Sequence, residues 1–121
     1  VHASARAISI LYTSLAHGGT HNNVSLLPKE VLSTASSEVS NGDDRILHRT
    51  SRFAHGFQLP IPERGFGPNP ESFGHFGAGG SVGFCDPKAK VGFGYVMNQM
   101  GPRWQNPRNR ALIDSLYSCL Q

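Results

Sequence analysis

The chain is poor in several things that 121 residues could carry. It has only two cysteines, Cys85 and Cys119, too few for a disulfide scaffold and too widely separated for a zinc pair. Free thiols are the expectation, which mildly favours a reducing compartment and leaves the localisation open. No apolar run approaches membrane-spanning length, and no signal peptide opens the chain, so no membrane partner is expected. The first residue is Val1 rather than methionine and leads almost directly into a helical pattern, which suggests a processed or truncated product. Charge of one sign is also scarce. Eleven basic against eight acidic residues leave a net charge of +3. Arg45, Arg49, Arg52 and Arg64 form one loose group and Arg103, Arg108 and Arg110 another. Neither has the density or the interleaved aromatics of a nucleic-acid surface, so solvated surface is the expected role of these arginines.

What is present suits one domain with a modest core: 38% apolar and 16% charged residues, punctuated by 14 glycines and 8 prolines. Residues 3–17 place Ile8, Leu11, Tyr12 and Leu15 on one helical face, ahead of Gly18 and Gly19. Pro28 opens a second, short helix backed by Val31, Leu32 and Ala35. Residues 37–52 read as polar and irregular, with Asn41-Gly42 as a turn. Phe53, His55, Phe57 and Leu59 alternate as a strand ending at Pro60, and a proline- and glycine-rich loop follows.

Residues 73–84, FGHFGAGGSVGF, then read as strand despite their five glycines. Asp86-Pro87-Lys88-Ala89 is a reverse turn, and Val91, Phe93, Tyr95 and Met97 alternate in the returning strand. The opposite face carries Gly92 and Gly94, whose missing bulk lets a helix approach closely. The last helix is the expected occupant. Asn106 caps it, Pro107 takes its first position, and Leu112, Ile113, Leu116, Tyr117 and Leu120 form its apolar stripe. The fold class is α+β: two helices, three antiparallel strands, and a C-terminal helix packed on the sheet. The first helix has no obvious sheet partner, so the chain reads like the end of a larger domain.

Most constellations that could carry chemistry fail on context. GAGGSVG leads into a strand, where phosphate capture requires a helix N-terminus. His17 and His21 are four apart, but Gly18 and Gly19 end the helix between them, and no acidic or cysteine partner completes a metal set. Ser81, His75 and Asp86, if laid along one extended strand, spread over roughly 35 Å and cannot converge. Gly79-Gly80-Ser81-Val82-Gly83 matches a nucleophile elbow in letters only, because it sits mid-strand. His75-Phe76-Gly77 remains. A bare glycine-rich strand can offer main-chain N–H groups to a substrate carbonyl, as an oxyanion hole requires, or can simply pack closely beside a helix. Composition leaves both readings open.

SFGHFGAGGSVGFCDPKAKVGFGYVMNQMG followed by NPRNRALIDSLYSCL resembles the carboxy-terminal end of serine β-lactamase-like and penicillin-binding proteins. The nearest branch is class C-related and includes family VIII-type esterases. ARAISILYTSLAHGG and LLPKEVL resemble the helix, glycine turn and second helix that precede it. The resemblance covers nearly the whole chain. It implies that residues 1–121 are the carboxy-terminal portion of a single β-lactamase/transpeptidase-like domain, with a helical part over 1–52 and the sheet and terminal helix over 53–121. It further implies hydrolysis of an ester, amide or β-lactam through an acyl-serine, with no cofactor and no metal. In that family an S-x-x-K motif supplies the nucleophile and a Y-x-[NS] motif a proton-shuttling tyrosine. The third motif, K-T-G or H-x-G, is the one matched here, by His75-Phe76-Gly77. The resemblance implies that the Ala78 N–H forms half of an oxyanion hole. It implies too that His75 orients the substrate carboxylate or polarises the proton relay, and that Phe76 shapes the acyl pocket.

No serine in the chain has a lysine three residues on, and Tyr12-Thr13-Ser14 fits the tyrosine motif only inside the first helix. No catalytic residue is therefore expected in this chain, which alone should be inactive. The alternative is a naturally truncated, non-catalytic module that binds or assembles. Its partner would be the remainder of the domain or a second copy.

Overall fold

The computed structural model describes residues 2–120. Helix α1 (Ala5–Ala16) begins where the Ser4 hydroxyl accepts the Ala7 N–H at 3.2 Å, supplying one acceptor to a turn of otherwise unpaired donors. It ends at His17, after which Gly18 and Gly19 turn the chain at φ +78° and +92°. Strands β1 (Thr20–His21) and β2 (Val24–Ser25) form a small hairpin whose turn residues Asn22 and Asn23 both have positive φ. Helix α2 (Lys29–Ala35) follows Pro28 and buries Leu32.

Residues 37–52 are not irregular. They form most of an antiparallel hairpin, β3 (Glu38–Asp44) with β4 (Arg49–Ala54), so strand structure reaches well into the part read as helical. Asn41-Gly42 lies inside β3, opposite Arg52 and Ser51. The reversal comes instead after Asp44, whose carboxylate accepts the N–H groups of Ile46 and Leu47, both at 2.8 Å. Six of the seven β3 residues are exposed, so the strand carries no alternation of apolar residues to recognise. Polar cross-strand contacts hold it: Arg52 with Glu38, Thr50 with Asp43, and Ser51 with Asp44. The expected strand over 53–59 also breaks, since β4 ends at Ala54 and Gly56 turns at φ +92°.

Strands β5 (Phe73–Phe76), β6 (Val82–Asp86) and β7 (Val91–Tyr95) form an antiparallel three-stranded sheet in sequential order. FGHFGAGGSVGF is thus two strands rather than one. The chain doubles back through a 3₁₀ turn at Ala78–Gly80, placing His75 opposite Gly83 and Gly83 opposite Gly94. Asp86-Pro87-Lys88-Ala89 makes the second reversal as expected, with the Asp86 carboxylate accepting the Ala89 N–H at 2.9 Å. Helix α3 (Pro107–Cys119) starts at the expected cap, Asn106, and Asn109 completes a reciprocal capping box.

The two sheet faces are filled by the opposite helices from those the glycine pattern suggested. α1, not α3, lies on the Gly83/Gly92/Gly94 face. A Cβ on Gly94 would stand 2.5 Å from the Ala5 carbonyl oxygen and 2.8 Å from the Ser9 nitrogen, and one on Gly92 would strike the Thr13 backbone. The first helix therefore has its sheet partner within the chain. α3 takes the bulky face, where Ile113 is buried with Phe66, Phe76, Val82 and Phe84. A second cluster joins Leu15 and Ala16 of α1, Leu32 of α2, Phe73 and Cys85. Each face satisfies its helix differently: bare backbone allows close approach, and aromatic side chains fill a wider gap.

Three outcomes follow from this packing. Replacing Gly94 with valine drives a side chain into the backbone of α1 and should destabilise the fold by about 1–3 kcal/mol; an unchanged Tm would show that α1 does not rest there. Burial pushes the Cys85 thiol up to about 12, with nearby Asp86 adding to the effect, and burial pushes the Tyr12 phenol up to about 12 as well. Both groups are held protonated in the folded state, so the stability they contribute is complete below their ordinary values of 9.0 and 10.0 and is lost as pH rises toward 12. The Tm should fall across that window. A thiol reagent at neutral pH should label exposed Cys119 and spare Cys85 until the protein is denatured.

Candidate functional site

Strand β5 presents its residues alternately to the two faces. Phe76 faces the α3 core, stacked on Phe66 with ring centroids 4.9 Å apart. His75 points the other way and is exposed on the α1 side, 6.1 Å from the Phe53 ring. Its Nδ1 lies 2.8 Å from the Phe76 carbonyl oxygen, which fixes the ring orientation and leaves Nε2 outward. The aromatic ring of Phe76 therefore anchors the strand from behind, and the imidazole stands exposed on its other face.

One residue secures the outer edge of β5. Gln58 exchanges backbone hydrogen bonds with Gly74, at 2.7 and 3.1 Å, and its side-chain oxygen accepts the Phe76 N–H at 3.0 Å. It also bridges to Phe53, tying β5 to the β3–β4 hairpin. No local sequence signal marks Gln58, because a one-residue bridge has no periodicity.

Gly77 closes the turn after β5 by donating to the Ser81 carbonyl at 2.8 Å. Gly79 and Gly80 then take φ +83° and +110°, conformations that side chains other than glycine rarely adopt. Exposed Ala78 is the first residue of the 3₁₀ turn, so its N–H has no acceptor within that turn. The turn is pinned from below by α3: the Asn109 amide donates to the Gly80 carbonyl at 3.0 Å and to the Trp104 carbonyl at 2.8 Å. The Gly101 N–H and the Asn106 amide both donate to the Gly79 carbonyl. Asn109 is fully buried. Asn106 and Pro107 alone marked the helix start in the sequence; the Asn106-x-x-Asn109 spacing could have pointed to the capping box, but not to the second role of Asn109 under the turn.

Ala78 and Gly79 line a cleft of about 640 Å³ together with Arg49, Arg64, Arg103 and Trp104. Arg49 is not simply solvated surface. Its guanidinium carbon lies 3.8 Å from the Trp104 ring centroid.

The remaining sequence candidates do not converge. Asp86 is fully buried on the α3 face, where it accepts hydrogen bonds from the Tyr117 hydroxyl at 2.6 Å and the Asn69 amide at 2.7 Å. His75 stands on the other face. The sheet thus keeps Asp86 from His75, rather than the extended spacing expected of a single strand, while the hairpin brings Ser81 across from Gly77. Desolvation and the Asp86 hydrogen bond push Tyr117 far above the usual phenol range, so it serves as a fixed donor. His17 caps α1 and His21 lies in β1, with ring centroids 5.2 Å apart. Among the described residues no three His, Cys, Asp or Glu side chains gather as a metal set.

A helix on a glycine-faced antiparallel sheet, a second helix behind it and an H-x-G strand leading into a glycine turn define a β-lactamase-like architecture. The family model described as Beta-lactamase matches residues 1–118, and the chain belongs to that family. It is 32% identical over 100 residues to the esterase/beta-lactamase LipL of Mycobacterium tuberculosis (strain ATCC 25618 / H37Rv), covering 81% of this chain and 22% of that protein. Among solved structures it is similar to a family VIII carboxylesterase, with a TM-score of 0.90 and 37% identity over 96% of this chain and 31% of the other. A penicillin-binding protein homolog from Caulobacter crescentus gives a TM-score of 0.90 and 38% identity over 96% of this chain and 32% of the other. The chain therefore spans less than a third of each relative's length.

Because Asn109 holds both the cap of α3 and the underside of the turn, Asn109→Ala should cost about 2–3 kcal/mol, more than loss of a cap alone. Urea denaturation measures this. A loss below about 1 kcal/mol would mean that the turn is held by its own backbone.

Proposed function

We propose that this chain is the carboxy-terminal portion of one domain of a serine hydrolase, in which an upstream S-x-x-K serine attacks an ester, amide or β-lactam carbonyl. Its part in that reaction is to hold the carbonyl. The Ala78 N–H donates to the oxygen as it gains negative charge, and the other donor comes from the upstream segment, near the nucleophile. The alcohol or amine is expelled as the acyl-serine forms, and water then cleaves that ester, releasing the acid and restoring the serine hydroxyl. The observation that carries this reading is the β5-to-turn geometry. Exposed His75 and exposed Ala78 flank Gly77, and the turn that places Ala78 is pinned by α3.

Within this reading His75 meets the substrate or the proton relay through Nε2, and Phe76 supports the strand from the core. Exposed Ile10 and Leu11 on the outer side of α1 give the remainder of the domain apolar surface to cover. No helix among the described residues is long and apolar enough to cross a membrane.

A fluorophosphonate probe tests the proposal, because it bonds irreversibly to an activated serine. The full-length protein should be labelled at one upstream serine and hydrolyse p-nitrophenyl butyrate, and the 121-residue chain should do neither. His75→Ala in the full-length protein should lower kcat/KM by about 10²-fold or more while labelling persists slowly. A full-length protein that has no labelled serine would replace this reading with the non-catalytic module.

A further inference from the structure

The outer edge of β5 is occupied up to the residue at which the chemistry is proposed to begin. Strand alternation turns the N–H and C=O groups of Gly74 and Phe76 away from β6. Gly77 is extended, at φ −98° and ψ 161°, so the Ala78 N–H continues that outward row. Gly74 is paired through both groups with the Gln58 backbone. The Phe76 carbonyl faces His75 Nδ1, and because a carbonyl only accepts, that nitrogen carries the proton. The Phe76 N–H is taken by the Gln58 side chain. Among the described residues no backbone acceptor meets the Ala78 N–H.

The Gln58 side chain does here what a backbone ordinarily does. An antiparallel ladder that pairs Gln58 with Gly74 would next pair residue 56 with Phe76. Gly56 cannot serve, because it turns at φ +92° and gives its own N–H to the Ala54 carbonyl. The Gln58 side-chain oxygen stands in for the missing carbonyl, 3.0 Å from the Phe76 nitrogen. The Gln58 backbone is held independently. Leu59 donates to the Arg52 carbonyl and Ala54 to the Phe57 carbonyl, both at 2.9 Å. The side-chain bond to Phe76 can therefore be removed without dismantling the bridge to Gly74.

We propose that Gln58 is a positioning residue for acyl transfer: by occupying the Phe76 N–H it fixes the end of β5 and leaves the Ala78 N–H as the donor that meets the substrate carbonyl. The proposal rests on the reading of Ala78 above and adds the group that sets its place. A free Phe76 N–H would stand about 7 Å back along the strand, where it would draw water or misplace the carbonyl. The loosened strand end would also let Ala78 drift, and a donor to a developing oxyanion tolerates little displacement. Gln58 itself touches no reacting atom.

Two substitutions separate hydrogen bonding from packing. Gln58→Met keeps the length of the side chain and removes the acceptor, and Gln58→Glu keeps an acceptor oxygen. Amide hydrogen exchange, followed by NMR on the 121-residue chain, reads the strand directly. Gln58→Met should speed exchange at Phe76 about tenfold or more and shift the Ala78 amide resonance. Gly77, whose N–H is bonded to the Ser81 carbonyl, should be unchanged. In the full-length protein, p-nitrophenyl butyrate hydrolysis is normalised to the fraction of serine that the fluorophosphonate labels. Gln58→Met should lower kcat about tenfold with KM within about twofold, the pattern of an interaction made in the transition state. Gln58→Glu should recover most of that loss. Gln58→Leu, which also lacks an acceptor, serves if the methionine variant does not fold. An unchanged Phe76 exchange rate, an unchanged kcat per labelled serine, or an equal loss in the methionine and glutamate variants would overturn the inference. Each of these leaves the acyl-transfer reading standing. A wild-type full-length protein that neither labels nor hydrolyses removes that reading and this role together.

Discussion

The approach of α1 to the bare face of β6 and β7 is the constraint on which the rest of this structure depends. Three glycines, Gly83, Gly92 and Gly94, stand at neighbouring register positions where any Cβ would meet the helix. Glycine in a strand interior loses conformational entropy and packs nothing, so its use on three such positions needs a return. The return is a helix lying almost backbone to backbone on the sheet. That closeness brings Tyr12, Leu15 and Ala16 onto Phe73 and Cys85, and so fixes β5 beside β6.

With α1 committed to the glycine face, the bulky face is left for α3. Phe66, Phe76, Val82, Phe84 and Ile113 fill it, and buried Asp86 ties the β6–β7 turn to α3 through Tyr117. The site is a by-product of this division. β5 must bury Phe73 and Phe76 on opposite faces, and strand alternation then leaves His75 as the residue that emerges on the α1 side. The turn that follows can be sharp because glycine occupies the positive-φ positions, and Asn109 holds it because α3 starts directly beneath it. Packing thus sets the position of Ala78, the residue on which the proposed chemistry depends.

The charged groups follow a different logic. Arg49 and Trp104 are 55 residues apart by their numbers and meet only because β4 and the segment before α3 border the same cleft. Their contact gives the cleft a polarity that a chain with a net charge of only +3 does not suggest. Local field is set by which arginines lie together and which acids are otherwise engaged, so it can far exceed what the overall charge suggests.

Local chemistry was sufficient for some elements. Gly18 and Gly19 end α1, Asn106 and Pro107 start α3, and Asp86-Pro87 reverses the sheet, because caps and turns are decided by a few adjacent residues. His75-Phe76-Gly77 and the glycine run were legible as β-lactamase-like only through resemblance to that family, since composition alone left a packing strand and an oxyanion strand both open. Other features had no local signal. The β3–β4 hairpin is held by polar pairs across strands, and the break inside FGHFGAGGSVGF depends on α3 being present to receive it. Glycines at 92 and 94 told that some helix comes close, but not which one. That choice belonged to tertiary structure, because an empty face specifies only the space it leaves, and the helix that fills it is selected by how the whole chain must bury its remaining apolar surface.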